Sequence, residues 1–315
     1  MVVAVEKLLT RAYEPADAAA VADLLNLVDE HAGGHAGTTG QEVDSFVMTL
    51  VPDARTDTRL VFAADVLVAA GINAPPPPGG FRVDLIGGVH PDWRGRGLGR
   101  TMLAWQIRRA EQMHEEIAPD ATWEAHRGIE LDDHDAVRLF RRNGMTPVRY
   151  WFEMAADTAT APEIPPPDGL TIVAYRPEYE SAVHEAHMAA FRDHWGYQYR
   201  ERAAWAELTV RQNTFRPELS RVVLDGDEVA GYLLATSDPD PSRVHIGLIG
   251  VLRPWRRRGL ASAMLANVLH AASLAGHTTA ALGVDADSLT GAVGVYERVG
   301  FRTDHRAVTY SRALS

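Results

Sequence analysis

Leu248-Ile249-Gly250-Val251 is followed by Leu252-Arg253-Pro254-Trp255 and then by Arg256-Arg257-Arg258-Gly259-Leu260-Ala261. The β-branched run predicts a strand, and the apolar stripe from Ala261 to Leu274 predicts a helix directly after the glycine-containing turn. Such a turn directs several backbone N–H groups at one point, which also lies at the positive end of the helix dipole. The stretch therefore predicts an anion-binding loop suited to a pyrophosphate.

The same pattern occurs earlier in the chain, at Ile86-Gly87-Gly88-Val89-His90-Pro91-Asp92-Trp93-Arg94-Gly95-Arg96-Gly97-Leu98-Gly99. Trp255 follows Trp93 by 162 residues, so the chain of 315 residues is a repeat of two similar halves. This agrees with the usual size of a protein domain. We predict an N-terminal domain over residues 1–157, a proline-rich linker over 158–168 and a C-terminal domain over 169–315.

Each half shows the same order of predicted elements, which makes each an α/β domain with a mixed sheet. A strand and an amphipathic helix come first, and two strands and the strand that enters the anion-binding loop follow. Gly144 and Gly300 are suited to end the later helices in the left-handed conformation. We assign Tyr150–Met154 as the last strand of the first half and Val308–Arg312 as that of the second.

The composition excludes several classes of function. A formal net charge of −11 argues against a nucleic-acid surface, which needs clustered positive charge. The absence of cysteine excludes disulfides, thiolate metal sites and a cysteine nucleophile. Met1–Arg11 lacks the features of a secretory signal, and no apolar stretch reaches the length of a membrane span. We expect a cytoplasmic protein, monomeric or homodimeric, with no nucleic-acid or membrane partner.

Both loops resemble the acetyl-CoA-binding motif of the GNAT superfamily of N-acetyltransferases. Arg94-x-x-Gly97-x-Gly99 and Arg256-x-x-Gly259-x-Ala261 match its pattern of Arg or Gln, then Gly, then Gly or Ala. Asp287-Ser288-Leu289-Thr290 and the helix ending in Val295-Tyr296-Glu297-Arg298-Val299-Gly300-Phe301 are similar to a second signature of the family. The resemblance implies two GNAT-like domains, each with a mostly antiparallel twisted sheet flanked by helices. The tandem layout resembles the mycothiol synthases, in which the C-terminal half is catalytic and the N-terminal half degenerate.

The resemblance implies acetyl-CoA as the acetyl donor, and we expect no metal. In the family, the backbone N–H of the valine that ends the strand holds the thioester carbonyl, and a fixed donor of this kind stabilises the developing oxyanion. The expected cofactor-binding residues of the C-terminal half are Ile249, Gly250, Val251, Arg256, Arg257, Arg258, Gly259, Leu260, Ala261, Ser262 and Ser288. Those of the N-terminal half are Val89, Arg94, Gly95, Arg96, Gly97, Leu98, Gly99 and Arg100.

Tyr296 matches the position of the family's general acid, which protonates the leaving CoA thiolate. The same residue belongs to an apolar stripe with Ala292, Val295 and Val299, a pattern that is also typical of a core-facing helix. Phe140 occupies the equivalent place in the first half and carries no proton. The pair predicts a catalytic acid in the second half only.

A general base in related enzymes commonly lies six residues before the valine that ends the strand. That position is His245 in the second half and Val83 in the first. The spacing predicts that the His245 side chain and Val251 lie on one face of the strand. Histidine titrates near neutrality and is suited to take a proton from an amine, often through water. The alternative is a strand histidine with no chemical role.

The resemblance implies an N-acetyltransferase that acts on a primary amine of a small molecule with its C-terminal half. The segment Ala190–Tyr197 lies where the family places the acceptor-binding wall, and Asp193 and Glu185 are candidates to bind an ammonium group. One alternative is an acyl-CoA-binding regulatory or scaffold protein without acceptor chemistry, and another is a protein-modifying acetyltransferase. No motif identifies the acceptor amine.

Overall fold

The computed structural model describes residues 8–288 and 291–314. In chain order, the first half forms β1 (Leu8–Arg11), α1 (Ala18–His31), α2 (Gly40–Leu50), α3 (Ala54–Asp57), β2 (Thr58–Ala63), β3 (Val66–Ala74), β4 (Arg82–Val89), α4 (Leu98–Ile117), β5 (Glu124–Glu130), α5 (His134–Arg142) and β6 (Thr146–Asp157). The second half forms β7 (Leu170–Ala174), α6 (Glu180–Phe191), α7 (Arg202–Glu207), β8 (Arg221–Asp225), β9 (Glu228–Ser237), β10 (Arg243–Val251), α8 (Leu260–Leu274), β11 (Thr279–Asp285), α9 (Ala292–Val299) and β12 (Arg302–Ala313). None of the described helices is long and apolar enough to span a membrane.

Most predicted elements are present, and two glycines end helices as expected. Gly144 and Gly300 follow α5 and α9 with φ of 74° and 108°, in the left-handed region. The sequence patterns did not predict α2, α3 or α7, although Thr39 and Glu42 form a reciprocal capping box at the start of α2. Leu289 and Thr290, which belong to the second family signature, lie outside the described residues.

The chain packs as two compact units. The N-terminal unit contains the described residues up to Val148 together with those from Ala307 onward, and the C-terminal unit is Arg149–Arg306. The strand order is β1-β2-β3-β4-β5-β12 in the first unit and β7-β8-β9-β10-β11-β6 in the second. Neighbouring strands within each unit are antiparallel except the pairs β4–β5 and β10–β11, which are parallel. The predicted fold class, a mixed and mostly antiparallel sheet flanked by helices, is therefore confirmed.

The last strand of each sheet comes from the other half of the sequence. β6 pairs with β11 along its last seven residues, and Met154 is buried in the core of the C-terminal unit. β12 pairs with β5, and Tyr310 is buried in the core of the N-terminal unit. The assignments of Tyr150–Met154 to the first half and Val308–Arg312 to the second are thus wrong. Because the halves are repeats, their sheet edges are alike, and local sequence does not distinguish the two pairings.

The proline-rich segment 158–168 is packed on the C-terminal unit. The N–H of Thr158 donates to the Thr278 carbonyl at 3.0 Å, and its hydroxyl donates to the His277 carbonyl at 2.6 Å. Ala161 and Ile164 contact the apolar core of that unit. The boundary between the units lies between Val148 and Arg149, and the segment that was predicted as a linker belongs to the second unit.

Candidate active site

A gap opens in the sheet of the C-terminal unit where β10 and β11 separate. Their parallel pairing runs only from Arg243 to His245, although β10 stays paired with β9 as far as Val251. The N–H of Leu252 donates to the Ala230 carbonyl of β9 at 3.0 Å. Successive N–H groups alternate sides along a strand, so the N–H of Val251 points away from β9 and into the gap.

The C-terminal anion-binding loop, residues 256–261, follows the end of β10. Arg257 and Gly259 have φ of 61° and 85°, and left-handed residues of this kind turn neighbouring N–H groups toward one point. The helix α8 begins after Gly259 without a side-chain cap, so the N–H groups of its first turn lack a capping partner. Arg257 and Arg258 are exposed, and no carboxylate in the described part of the chain pairs with them. The loop therefore has the donors and the positive charge that a pyrophosphate requires.

The first arginine of each loop, Arg256 or Arg94, directs its guanidinium group to partners within the protein. Arg256 donates through Nε to the Val251 carbonyl at 3.0 Å and through Nη2 to the Ala190 carbonyl at 2.9 Å. Arg94 forms an ion pair with Asp133 at 3.1 Å. Both side chains hold their loop in place. These two residues would therefore bind an anion through their backbone N–H groups.

The remaining candidates for cofactor binding lie on the same elements in each unit. Ser288 lies in the turn after β11, with its N–H bonded to the Asp285 carbonyl at 3.1 Å. The other C-terminal candidates are Ile249 and Gly250 on β10 and Leu260, Ala261 and Ser262 in the first turn of α8. The N-terminal candidates are Val89 at the end of β4, Gly95, Arg96 and Gly97 in the loop, and Leu98, Gly99 and Arg100 in the first turn of α4.

Tyr296 lies on α9 with its ring 7% exposed and its hydroxyl free of hydrogen bonds to other described residues. Burial raises the pKa of this hydroxyl to about 12, so it keeps its proton at neutral pH. The equivalent Phe140 is 6% exposed and packs on Tyr310, with the ring centroids 5.6 Å apart. The two positions pack alike, and only Tyr296 has a proton to give.

A β-bulge at Gly247 reverses the faces of the sheet to which the earlier side chains of β10 point. The register with β9 shifts between Ile246 and Leu248, so one residue of β10 is unpaired. Ile246 and Val251 pack into the core that α8 covers, whereas Leu248 packs on the α6 side. His245 therefore faces α6, on the opposite side of the sheet from the Val251 side chain. The prediction that both share one face is wrong, because the bulge breaks the two-residue alternation.

The bulge also changes which residue of the first half corresponds to His245. β4 pairs with β3 without interruption, and its Val83 is fully buried beside Ala125 of β5. Val244 takes the same place beside Ala280 of β11, so the counterpart of His245 is Asp84. Asp84 forms an ion pair with Arg82 at 2.8 Å. The residue of the N-terminal unit that corresponds to His245 is therefore not Val83 but Asp84, whose carboxylate is paired with Arg82.

The corresponding gap of the N-terminal unit is filled by a side chain. The pairing of β4 with β5 ends at Asp84, and beyond it Arg127 of β5 donates to the Leu85 carbonyl at 3.0 Å and also to the Gly87 carbonyl. Burial lowers the pKa of Arg127, and the nearby carboxylate of Asp29 partly offsets this effect. The guanidinium thus lies between the two strands at the level where the other unit leaves a gap.

A hydrogen-bonded pair, the half-buried His187 and the buried Tyr232, supports β10 from the α6 side. Nδ1 of His187 lies 2.6 Å from the hydroxyl of Tyr232. The Tyr232 ring packs closely against Gly250, and a Cβ at residue 250 would lie 2.8 Å from the Tyr232 hydroxyl. Burial lowers the pKa of His187 to about 4 and raises that of Tyr232. Both groups are therefore neutral at pH 7, and they share one hydrogen bond whose donor is set by the imidazole tautomer.

Aromatic rings continue from this pair to β6 and form what we call the aromatic wall, defined by His187, Phe191, His194, Trp151 and Trp195. Successive ring centroids lie 4.5, 5.2, 6.2 and 6.0 Å apart in that order. The sequence pointed to the segment after α6, but it did not identify His187 or Trp151.

The two carboxylates predicted to bind an ammonium group, Asp193 and Glu185, do not form such a site. Asp193 pairs with Arg253 at 2.5 Å, and Glu185 is exposed.

Comparison with known proteins agrees with this geometry. The acetyltransferase (GNAT) family matches residues 180–301. A mycothiol acetyltransferase of Mycolicibacterium vanbaalenii is 30% identical over 258 residues, which cover 78% of this chain and 77% of the relative. Another, from Salinispora arenicola, is 28% identical over 316 residues and covers 93% of both chains.

Solved structures match over nearly the whole chain. A GCN5-related N-acetyltransferase from Sphaerobacter thermophilus has a TM-score of 0.76 and 28% identity, covering 97% of this chain and 95% of its own. A tandem GNAT protein from the clavulanic acid biosynthesis pathway shares the fold, with a TM-score of 0.70 at 17% identity and 98% coverage of both chains. The chain therefore belongs to the GNAT family and is an acyl-CoA-dependent acetyltransferase.

Proposed function

We propose that the C-terminal unit transfers an acetyl group from acetyl-CoA directly to a primary amine of a small molecule. The observation that carries the proposal is the combination, within one unit, of a gap faced by the Val251 N–H, an uncapped anion-binding loop and a protonated Tyr296. The N-terminal unit keeps a similar loop, but Arg127 lies in its gap and Phe140 replaces the acid. We infer that this unit has no turnover of its own.

Each residue has a distinct part in the proposed reaction. Acetyl-CoA supplies the activated thioester, and the loop from Arg256 to Ala261 holds its pyrophosphate through backbone N–H groups. The Val251 N–H stabilises the oxyanion that develops when the amine forms the new C–N bond. Tyr296 gives its proton to the sulfur as the C–S bond breaks. His245 faces the α6 side of the sheet, from which the amine comes, and takes the amine's surplus proton through water.

Two findings bear on the acceptor. The relatives that match most of this chain are called mycothiol acetyltransferases, which favours a small molecule of that type over a protein lysine. The α6 side of β10 is bordered by the aromatic wall, which is suited to a compact ligand. We therefore propose a mycothiol-type amine as the acceptor class.

Calorimetric titration with acetyl-CoA, followed by thiol-release assays with glucosamine, kanamycin, spermidine and a lysine-containing peptide, tests the proposal. The expected result is binding of acetyl-CoA and thiol release with at least one of the three small amines. Binding without release on any amine would support a regulatory acyl-CoA-binding protein instead. Release with the peptide alone would indicate a protein-modifying enzyme.

Replacement of His245 by glutamine is expected to lower kcat/KM for the amine about 100-fold at pH 7, since a general base typically contributes 10²–10⁴-fold. The loss should shrink at higher pH, where more of the amine is already deprotonated. The measurement is a pH profile of kcat/KM for both proteins. Asp84→Asn, at the equivalent position of the N-terminal unit, is the matched control and should leave the profile unchanged. A loss below threefold for His245→Gln would remove His245 from the mechanism.

A further inference from the structure

The two substrates of an acetyl transfer must reach the same carbon from different directions. The anion-binding loop lies at the end of β10 and opens into α8, so the donor occupies the α8 side of the gap. The amine must then arrive from the opposite side, which is the side that α6 covers and that His245 faces. The walls of that approach are formed by α6, by the segment after it and by β6, the strand next to β11 in this unit.

The aromatic wall crosses this approach. α6 packs on β9 and β10, on one side of the gap, while β6 lies beyond β11, on the other side. Trp151 of β6 is paired in register with Asp285, the last residue of β11. Its indole stacks on the His194 ring, with an interplanar angle of 25° and the centroids 6.2 Å apart. The contact between Trp151 and His194 thus joins the two sides of the gap.

Neighbouring contacts hold Trp151 and Trp195 in defined positions. Arg149, two residues before Trp151, donates to the Asp285 carboxylate at 2.6 Å and to the Asp287 carbonyl at 3.2 Å. Its guanidinium also lies 5.8 Å from the centre of the Trp195 ring. Trp151, His194 and Trp195 are partly buried, so each side chain keeps some solvent-exposed surface. Rigid, partly open aromatic rings bind ligands at a low cost in conformational entropy.

We propose that Trp151 determines acceptor specificity in the C-terminal unit by packing its indole against the bound amine. The inference rests on the proposed amine acetylation and adds a residue to it. Because β6 belongs to the N-terminal half of the sequence, part of the acceptor site of the C-terminal unit is encoded in the N-terminal half. Residues 169–315 alone would lack this side of the acceptor site.

The test compares Trp151→Ala with Tyr150→Ala, which removes an exposed aromatic side chain from the same strand. Steady-state thiol release is measured with acetyl-CoA and with the fastest amine among glucosamine, kanamycin and spermidine. Trp151→Ala is expected to raise the KM for the amine about tenfold, as the loss of one aromatic contact predicts. The KM for acetyl-CoA should stay within twofold, and Tyr150→Ala should leave both constants within twofold. Trp151→Phe should recover most of the lost affinity.

Two outcomes would overturn the inference while leaving the proposed function intact. One is an unchanged KM for the amine in Trp151→Ala. The other is a parallel rise of both KM values, which would show that the indole supports the unit as a whole. Absence of thiol release with every amine in the unmodified protein would contradict the proposed function itself, and this inference with it.

Discussion

Replacement of Tyr296 by phenylalanine is expected to lower kcat about 100-fold, because the leaving thiolate then departs without a general acid, which typically contributes 10²–10⁴-fold. The packing should survive, since Phe140 fills the equivalent place in the N-terminal unit with the same degree of burial. The KM for acetyl-CoA should therefore change little. Steady-state thiol release with saturating amine measures the effect.

The reciprocal variant, Phe140→Tyr, is the control for this experiment. It places a hydroxyl at the same position of the unit whose gap is filled by Arg127, and it should leave the rate within twofold. A Tyr296→Phe rate within twofold of the unmodified protein would show that Tyr296 is only a core residue. In that case the apolar stripe on α9 would account for the residue completely.

Replacement of Gly259 by glutamate is expected to abolish turnover and the binding of acetyl-CoA to the C-terminal unit. A carboxylate in the anion-binding loop repels the pyrophosphate, and the left-handed φ of 85° adds strain of roughly 1–2 kcal/mol for any residue with a side chain. Apart from its chain neighbours, none of the described residues has an atom within 4 Å of a Cβ built at this position, so the change should not disturb the core. Calorimetric titration with acetyl-CoA and the thiol-release rate measure the two effects.

Two further variants separate the effect of the added charge from that of backbone strain, and the effect of one loop from that of the other. Gly259→Ala carries the same strain without the charge, and it should weaken binding far less than the glutamate does. Gly97→Glu places the same charge in the repeated loop, where φ is 89°, and it should leave turnover unchanged. Equal loss of turnover in Gly97→Glu and Gly259→Glu would refute the assignment of catalysis to the C-terminal unit alone.

Much of the architecture could be read from local patterns. The strands β4 and β10, the loops after them and the helices α4 and α8 follow from β-branched runs, glycines and helical periodicity, which act over a few residues. The resemblance to GNAT proteins rests on the same local motifs. α2 and α7 were not predicted, although the capping box of Thr39 and Glu42 marks the start of α2.

The sequence by itself determined the repeat, the fold class and the place of the anion-binding loops, since each depends on contacts between residues close along the chain. The tertiary structure decided which half each last strand completes, because two similar sheet edges compete for the same kind of strand. It also decided the side on which His245 lies, since a bulge at Gly247 depends on pairing with β9. Arg127 in one gap and Trp151 beside the other are distant in sequence from the residues they contact, so only the folded chain brings them there.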